Sequence, residues 1–346
     1  MIKMFNMIKM INMTTSIHSA QSCRRWLAVM ACAMSFAGLS AISGQQEKVR
    51  PLIAVIPKGT THEFWKTVHA GALKGASEAG VDILWKGPAR EDDRDDQIKV
   101  VESAVSRQVQ GIVIAPLDEQ ALVPSLKEAA VAKIPVVIFD SGIKWDGRAS
   151  FVATDNRRGG VLAAEEMGRI LAGKGRIVVM RYVEGSASTA LREDGFLATI
   201  KEKFPGIVIV SSDQYGGATV DSAYRVAENL LNRFADLNGM YAPNEPTTYA
   251  SMKALKDLGR GTSVHLVGFD ASEKLVAGLK DGSVDALVVQ NPFRMGELAV
   301  TTMANVIRGE TVQRDVDTGC TLVTRHNIDE PAIRAVLEPP IAQWLK

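Results

Sequence analysis

GIVIAPLDEQALVPSLKEAAVAKIPVVIFD, residues Gly111–Asp140, contains one complete strand–helix–strand unit. Gly111–Ala115 and Pro135–Phe139 are apolar throughout, and Glu119–Ala132 between them has helical spacing. A strand without polar alternation is buried on both faces, which calls for a parallel sheet covered by helices on each side. The pattern extends outward from this unit. Upstream lie Leu52–Ile56 (LIAVI), the helical stretch His62–Ala79, Val81–Trp85 and Asp93–Gln108. Downstream, a second series opens near Asn156, with strands at Arg176–Met180, Ile207–Val210, Gly239–Ala242, His265–Phe269 and Ala286–Gln290. Helical stretches separate them. Two such series in tandem imply an α/β protein with two doubly wound parallel-sheet lobes.

Composition bounds the function. The chain has 346 residues, 46% hydrophobic and 23% charged, which excludes disorder and suits two domains. Its formal charge of +1 conceals an asymmetry, because residues 1–43 carry Lys3, Lys9, Arg24 and Arg25 and no acid. The rest is net negative and has no electrostatic footprint for nucleic acid. After the cationic opening comes the apolar run Trp26–Ile42 (WLAVMACAMSFAGLSAI), then the small-x-small exit Ala41-Ile42-Ser43. This is the pattern of a secretory signal peptide over residues 1–43, cleaved near residue 43. Met1, Met4, Met7, Met10 and Met13 each offer a start. Cys23 and Cys32 fall in the leader, leaving Cys320 alone in the mature chain. An intramolecular disulfide is therefore not expected, and a large core must hold the fold.

In doubly wound sheets, ligands bind beyond the carboxyl ends of the strands. The polar residues just past the apolar runs are Lys58, His62, Asp140, Asn244, Asp270 and Gln290. They supply donors and acceptors with no nucleophile among them, the profile of a polar-ligand cleft. Catalytic patterns fail in turn. Lys58-Gly59-Thr60-Thr61 lacks the upstream glycine of a phosphate loop, and no Gly-x-Gly-x-x-Gly follows a strand. Gly185-Ser186-Ala187-Ser188 lacks the closing glycine of a nucleophile elbow. The histidines of the mature chain, His62, His69, His265 and His326, show no zinc spacing, so no metal and no cofactor is expected. The acidic run Glu91-Asp92-Asp93-Arg94-Asp95-Asp96 has no calcium-loop glycine or terminal Glu, and reads as a solvated loop feeding a helix start.

These residues and their neighbours resemble the ribose- and galactose-type (type I) periplasmic sugar-binding proteins that feed ABC importers. The resemblance runs from about Leu52 to about Asn327. It rests on His62-Glu63-Phe64-Trp65, Val137-Ile138-Phe139-Asp140-Ser141, Thr154-Asp155-Asn156 and the segment Ser188–Phe196 (STALREDGF). Pro243-Asn244-Glu245, Gly268-Phe269-Asp270 and Val289-Gln290-Asn291-Pro292 complete it, in order.

The resemblance implies two lobes joined by a three-crossing hinge, with crossings near Asp155-Asn156, Gln290-Asn291 and Asp317-Thr318. The amino-terminal lobe is then 44–155 plus 291–317, and the carboxy-terminal lobe 156–290 plus 318–346. It also implies a ligand set of Lys58, His62, Phe64, Trp65, Asp140, Ser141, Asp155, Arg192, Asn244, Asp270 and Gln290. Sugars have apolar C–H faces for rings to cover and hydroxyls for charged and amide side chains to take. Phe64 and Trp65 supply rings, Asp140 and Asp270 accept, Arg192 donates a planar fork, and Asn244 and Gln290 do both. The same residues admit structural roles: Phe64 and Trp65 in the helix core, Asp140 in a turn, Asp270 as an N-cap, Asp155 in the hinge. Ser141 stands where ribose-binding members carry Arg. Their second-lobe aromatic falls in Asp213–Ala218, with Ala218 at the matching position and Tyr215 as the alternative. The implied function is capture of a monosaccharide or related polyol by a monomeric periplasmic protein and delivery to an ABC transporter permease, without nucleic acid, without stable membrane insertion after signal removal, and without enzymatic activity. The alternative is a ligand-loaded receptor for a membrane sensor kinase or chemoreceptor. A repressor of the lactose-repressor type would carry a helix-turn-helix where this chain has its apolar leader.

Overall fold

The computed structural model describes residues 49–345; the expected signal peptide, residues 1–43, lies outside them. The chain runs β1 (Leu52–Ile56), α1 (Glu63–Ala79), β2 (Asp82–Trp85), α2 (Arg94–Ser106), β3 (Gly111–Ile114), α3 (Val123–Val131), β4 (Val136–Phe139) and β5 (Ser150–Ala153). It continues through α4 (Asn156–Ile170), β6 (Gly175–Arg181), α5 (Ala187–Lys203), β7 (Ile207–Tyr215) and α6 (Val220–Arg233). Then come β8 (Gly239–Tyr241), α7 (Glu245–Asp257), β9 (His265–Phe269), α8 (Glu273–Asp281) and β10 (Ala286–Gln290). The last elements are α9 (Pro292–Ile307), β11 (Asp315–Asp317), β12 (Cys320–Thr324), α10 (Pro331–Leu337) and α11 (Ile341–Trp344). Among the described residues, no helix is long and apolar enough to cross a membrane.

The strands form two six-stranded sheets, β11-β5-β4-β3-β1-β2 and β12-β10-β9-β8-β6-β7. Every pairing is parallel except β10 with β12, which runs antiparallel at one edge. The chain passes from the first sheet to the second between β5 and α4, returns between β10 and α9, and leaves again between β11 and β12. Each sheet is covered on both faces. In the first, Val55, Val113 and Val137 pack with α1 and α9, while Ile56, Ile112 and Ile138 pack with α2 and α3. In the second, Val178, Met240 and Leu266 face α6, α7 and α8, and Ile177, Val267 and Val288 face α4 and α5. Successive strand residues point to opposite faces, so the uninterrupted apolar runs supply both cores.

Helices α1 and α9 approach closely because glycines on each helix face the backbone of the other. A Cβ on Gly71 would lie 1.9 Å from the Phe293 carbonyl oxygen, and one on Gly296 would lie 2.1 Å from that of Val68. Backbone cannot yield as a side chain can. Gly71→Ala is therefore expected to cost about 1–3 kcal/mol by overpacking, measured as a lower melting temperature. An unchanged melting temperature would mean that the interface can relax.

Two local differences from the sequence-based pattern have clear causes. The expected helix at Glu119 begins only at Val123, because Asp118 Oδ1 accepts from Gln120 N at 2.8 Å and Ala121 N at 2.9 Å and holds a turn there. Strands β5, β11 and β12 were not expected. β11 is Asp-Val-Asp, which carries no apolar run and is a strand only because it pairs with Phe151–Ala153.

Candidate functional site

Asp140 follows β4 and Asp270 follows β9, the third strand from the same edge of each sheet. Both adopt left-handed backbone, φ 59° and 68°, a conformation aspartate tolerates better than most residues. The equivalent turn in each sheet thus delivers one carboxylate to the space between the sheets.

Lys58, just beyond β1, sets its Nζ 3.4 Å from Asp140 Oδ2 and donates to Ser186 Oγ at 3.2 Å and Ser188 Oγ at 3.0 Å. Arg192, one turn into α5, donates from Nε to Asn156 Oδ1 at 2.8 Å and from Nη1 to the Pro243 carbonyl at 3.0 Å. Its guanidinium lies 3.9 Å from the Phe269 ring centroid, a cation–π contact, and 3.8 Å from Asp270 Oδ2. Asp270 also accepts from Glu245 N at 3.0 Å and from Gln290 Nε2 at 2.7 Å. A carboxylate can only accept, so this last bond fixes the orientation of the Gln290 amide. Gln290 Oε1 is then aimed away from Asp270; it is buried and has no protein partner. Burial pushes the Asp270 carboxyl above its ordinary value, against the pull of Arg192.

The aromatic side is built on the first turn of α1. Phe64 and Trp65 meet edge-on, centroids 4.9 Å apart, and Trp65 meets Phe139 the same way at 6.1 Å. Both belong to the core between the first sheet and α1 while also lining the cleft. The Phe64 N–H donates to Glu245 Oε2 at 3.1 Å across the cleft. Reciprocally, Glu63 Oε2 accepts from Glu273 N at 3.1 Å. Each carboxylate thus satisfies an otherwise orphaned amide at the start of a helix on the opposite side. Burial pushes the Glu245 carboxyl up to about 7.

One cleft gathers Lys58, His62, Phe64, Trp65, Asp140, Arg192, Asn244, Asp270 and Gln290. Asn244 caps no amide of its own helix; its Oδ1 accepts from Thr247 Oγ1 at 2.6 Å. Ser141 is buried beside the cleft, where its Oγ accepts from Ser188 N at 3.2 Å. Asp155 lies outside, exposed, and N-caps α4 by accepting from Arg158 N at 2.9 Å. Neither Ala218 nor Tyr215 lines the cleft: Ala218 is buried elsewhere, and Tyr215 is 44% exposed beneath the Arg181 guanidinium.

The cleft also contains residues that sequence reasoning left out: Glu91, Tyr182, Ser188, Thr189, Glu245 and Pro246. Ser188, Thr189 and Glu245 sit inside motifs already quoted. Glu91 corrects the reading of the acidic run as a solvated loop. Asp93 does cap α2, accepting from Asp96 N at 3.0 Å, but Glu91 turns inward and is buried. The free volume at the centre is about 30 Å³, room for about two waters. The side chains from the two sheets have closed on one another, so a sugar enters only if they part. Among the described residues, no group of three His, Cys, Asp or Glu side chains is placed to hold a metal ion.

Fold and site together define a two-lobed α/β binding protein with a polar, aromatic-walled cleft between its sheets. The chain belongs to the periplasmic binding protein family, whose domain model matches residues 53–311. The D-ribose/D-allose-binding protein of Pseudomonas aeruginosa is 30% identical over 306 residues, covering 85% of this chain and 94% of that protein. An ABC transporter solute-binding protein from Agrobacterium vitis, solved with bound D-fucose, is 38% identical, with TM-score 0.80 over 83% of this chain and 99% of that one. A carbohydrate transporter solute-binding protein from Agrobacterium radiobacter, in complex with D-arabinose, is 32% identical, with TM-score 0.81 over 84% of this chain and 99% of that one.

Proposed function

We propose that this protein captures a monosaccharide or closely related polyol between its two lobes and delivers it to an ABC importer. The observation that carries this reading is the cleft's hydrogen-bonding set. Buried, oriented donors and acceptors come from both sheets, and Gln290 Oε1 still lacks a partner. A buried acceptor without a donor costs free energy that a sugar hydroxyl recovers, and Phe64 and Trp65 supply the apolar wall. The ligand set is the one carried by the family resemblance, with Asp155 in the hinge. The lobes are 44–155 plus 291–317 and 156–290 plus 318–346. The sugars bound by the relatives, D-fucose, D-arabinose, D-ribose and D-allose, are the first to test. The mature protein acts as a periplasmic monomer after removal of residues 1–43 and docks on the permease.

The test is a melting and scattering experiment on the purified mature chain. A sugar at a hundredfold excess over its Kd stabilises the native state by about 2.7 kcal/mol. The closed arrangement desolvates Asp270 and Glu245 and leaves Gln290 Oε1 unpaired, costs relieved by opening to water or by a bound ligand. The radius of gyration is therefore expected to fall when the sugar is added. A panel of pentoses, hexoses and deoxyhexoses without any melting shift would sink the reading, as would tight binding with an unchanged scattering curve.

A further inference from the structure

We propose that Glu91 is a positioning residue for the ligand, holding the Trp65 indole and the Tyr182 phenol as the paired aromatic walls of the closed cleft, one from each lobe. The inference rests on the sugar-binding reading above and goes beyond it by assigning the second-lobe wall and the group that orients both.

Glu91 stands in the loop between β2 and α2. Its Oε1 accepts from Trp65 Nε1 at 2.7 Å and its Oε2 from the Tyr182 hydroxyl at 3.0 Å. An ionised carboxylate has no proton to offer, an indole N–H can only donate, and the phenol therefore donates too. Bonds to a charged acceptor are about twice as strong as neutral ones, so one side chain sets the orientation of both rings. Among the described residues the only basic side chain within ion-pair distance is the His62 imidazole, whose Nε2 lies 3.6 Å from Oε1; no Lys or Arg reaches it. The backbone leaves room for this placement, since a Cβ on Gly59 would lie 2.9 Å from Glu91 Cγ.

Tyr182 is fixed independently. Its N–H donates to Glu193 Oε1 at 3.0 Å, and its carbonyl accepts from Gly217 N at 2.9 Å. Burial, then the Glu91 charge, pushes its phenol well above the ordinary value, so it remains a donor throughout the neutral range. The segment in which the resemblance places a second-lobe aromatic carries buried Ala218 and outward-facing Tyr215, and neither lines the cleft. Tyr182 does, from the second sheet's side, as Phe64 and Trp65 do from the first. The Glu91–Trp65 bond lies within one lobe, whereas the Glu91–Tyr182 bond forms only when the lobes meet. Its loss is therefore felt in closure and selectivity.

The test uses the mature chain as wild type, Glu91→Gln, Tyr182→Phe and the double variant. Each is titrated calorimetrically with D-fucose, D-arabinose, D-ribose and D-allose, with tryptophan emission recorded in parallel. A glutamine amide offers one acceptor and one donor group, so it opposes one of the two ring donors. Glu91→Gln is expected to weaken the tightest sugar by about ten- to a hundredfold and Tyr182→Phe by about tenfold. The double variant should be no worse than Glu91→Gln alone, because Tyr182→Phe removes the opposed donor. The rank order of the four sugars and the Trp65 emission should shift with Glu91→Gln, while melting temperatures without sugar stay near wild type. Losses that multiply in the double variant overturn the inference, as does an equal loss for every sugar accompanied by a lower melting temperature. If Glu91→Gln does not fold, Tyr182→Phe decides by its effect on rank order: a change supports the inference, an unchanged order overturns it. Wild-type binding with multiplied losses sinks this inference alone. No binding of any of the sugars by wild type sinks the sugar reading, and the inference with it.

Discussion

Arg192→Ala and Asp270→Ala are each expected to weaken sugar binding by two to three powers of ten while leaving the unliganded fold intact. The two side chains face each other with 3.8 Å between Nη1 and Oδ2 and are nearly inaccessible to water. Removing one partner of a buried ion pair costs about 3–5 kcal/mol, because the other charge is left uncompensated, and each 1.4 kcal/mol is about tenfold in affinity. The loss falls on the closed form, since in an open cleft the remaining charge is hydrated. Asp270→Ala also strips partners from Gln290 Nε2 and Glu245 N, and Arg192→Ala strips them from Asn156 Oδ1 and the Pro243 carbonyl. Calorimetry should therefore show the lost affinity, and melting of the sugar-free proteins should show little change. Near-wild-type affinity in both variants would move the ligand away from this cleft.

Affinity is also expected to fall by about tenfold between pH 6 and pH 8. Glu245 titrates near 4.5 when exposed and at about 7 in the closed cleft, chiefly through desolvation, with Asp270 and Glu63 adding to the rise and the Phe64 N–H and His62 opposing it. The closed value is the higher one, so closure takes up a proton between them. That contribution to closure is complete below about 4.5 and is lost as pH rises through about 7. Glu193 is likewise raised to about 7 by burial, with Arg181 pulling the other way. It sits within the second lobe beneath Tyr182, so it bears on folding more than on closure. Glu245→Gln should flatten the pH profile of Kd. A profile unchanged in that variant would reject this assignment.

Much of the molecule is legible in its linear pattern. An apolar run such as Val136–Phe139 is a buried parallel strand whatever lies elsewhere in the chain, because its own side chains must be hidden on both faces. The residues that follow such runs, Lys58, Asp140, Asp270 and Gln290, must then emerge at the carboxyl edges of the sheets, where the structure gathers them. The pattern weakens where an element depends on its partner. β11 is too polar to announce itself and exists through its pairing with β5. The start of α3 is set by the Asp118 carboxylate, which competes locally with the helix for backbone amides.

The site divides in the same way. Periodicity and strand ends by themselves determined two doubly wound sheets and a polar cleft between them, because both follow from local burial. Tertiary structure alone decided that Glu91 turns inward while its acidic neighbours meet water, and that Tyr182 rather than Tyr215 faces the cleft. Glu91 and Tyr182 are 91 positions apart in the chain. A buried carboxylate is tolerable only once the donors that satisfy it have been brought alongside, and no stretch of either segment encodes that meeting.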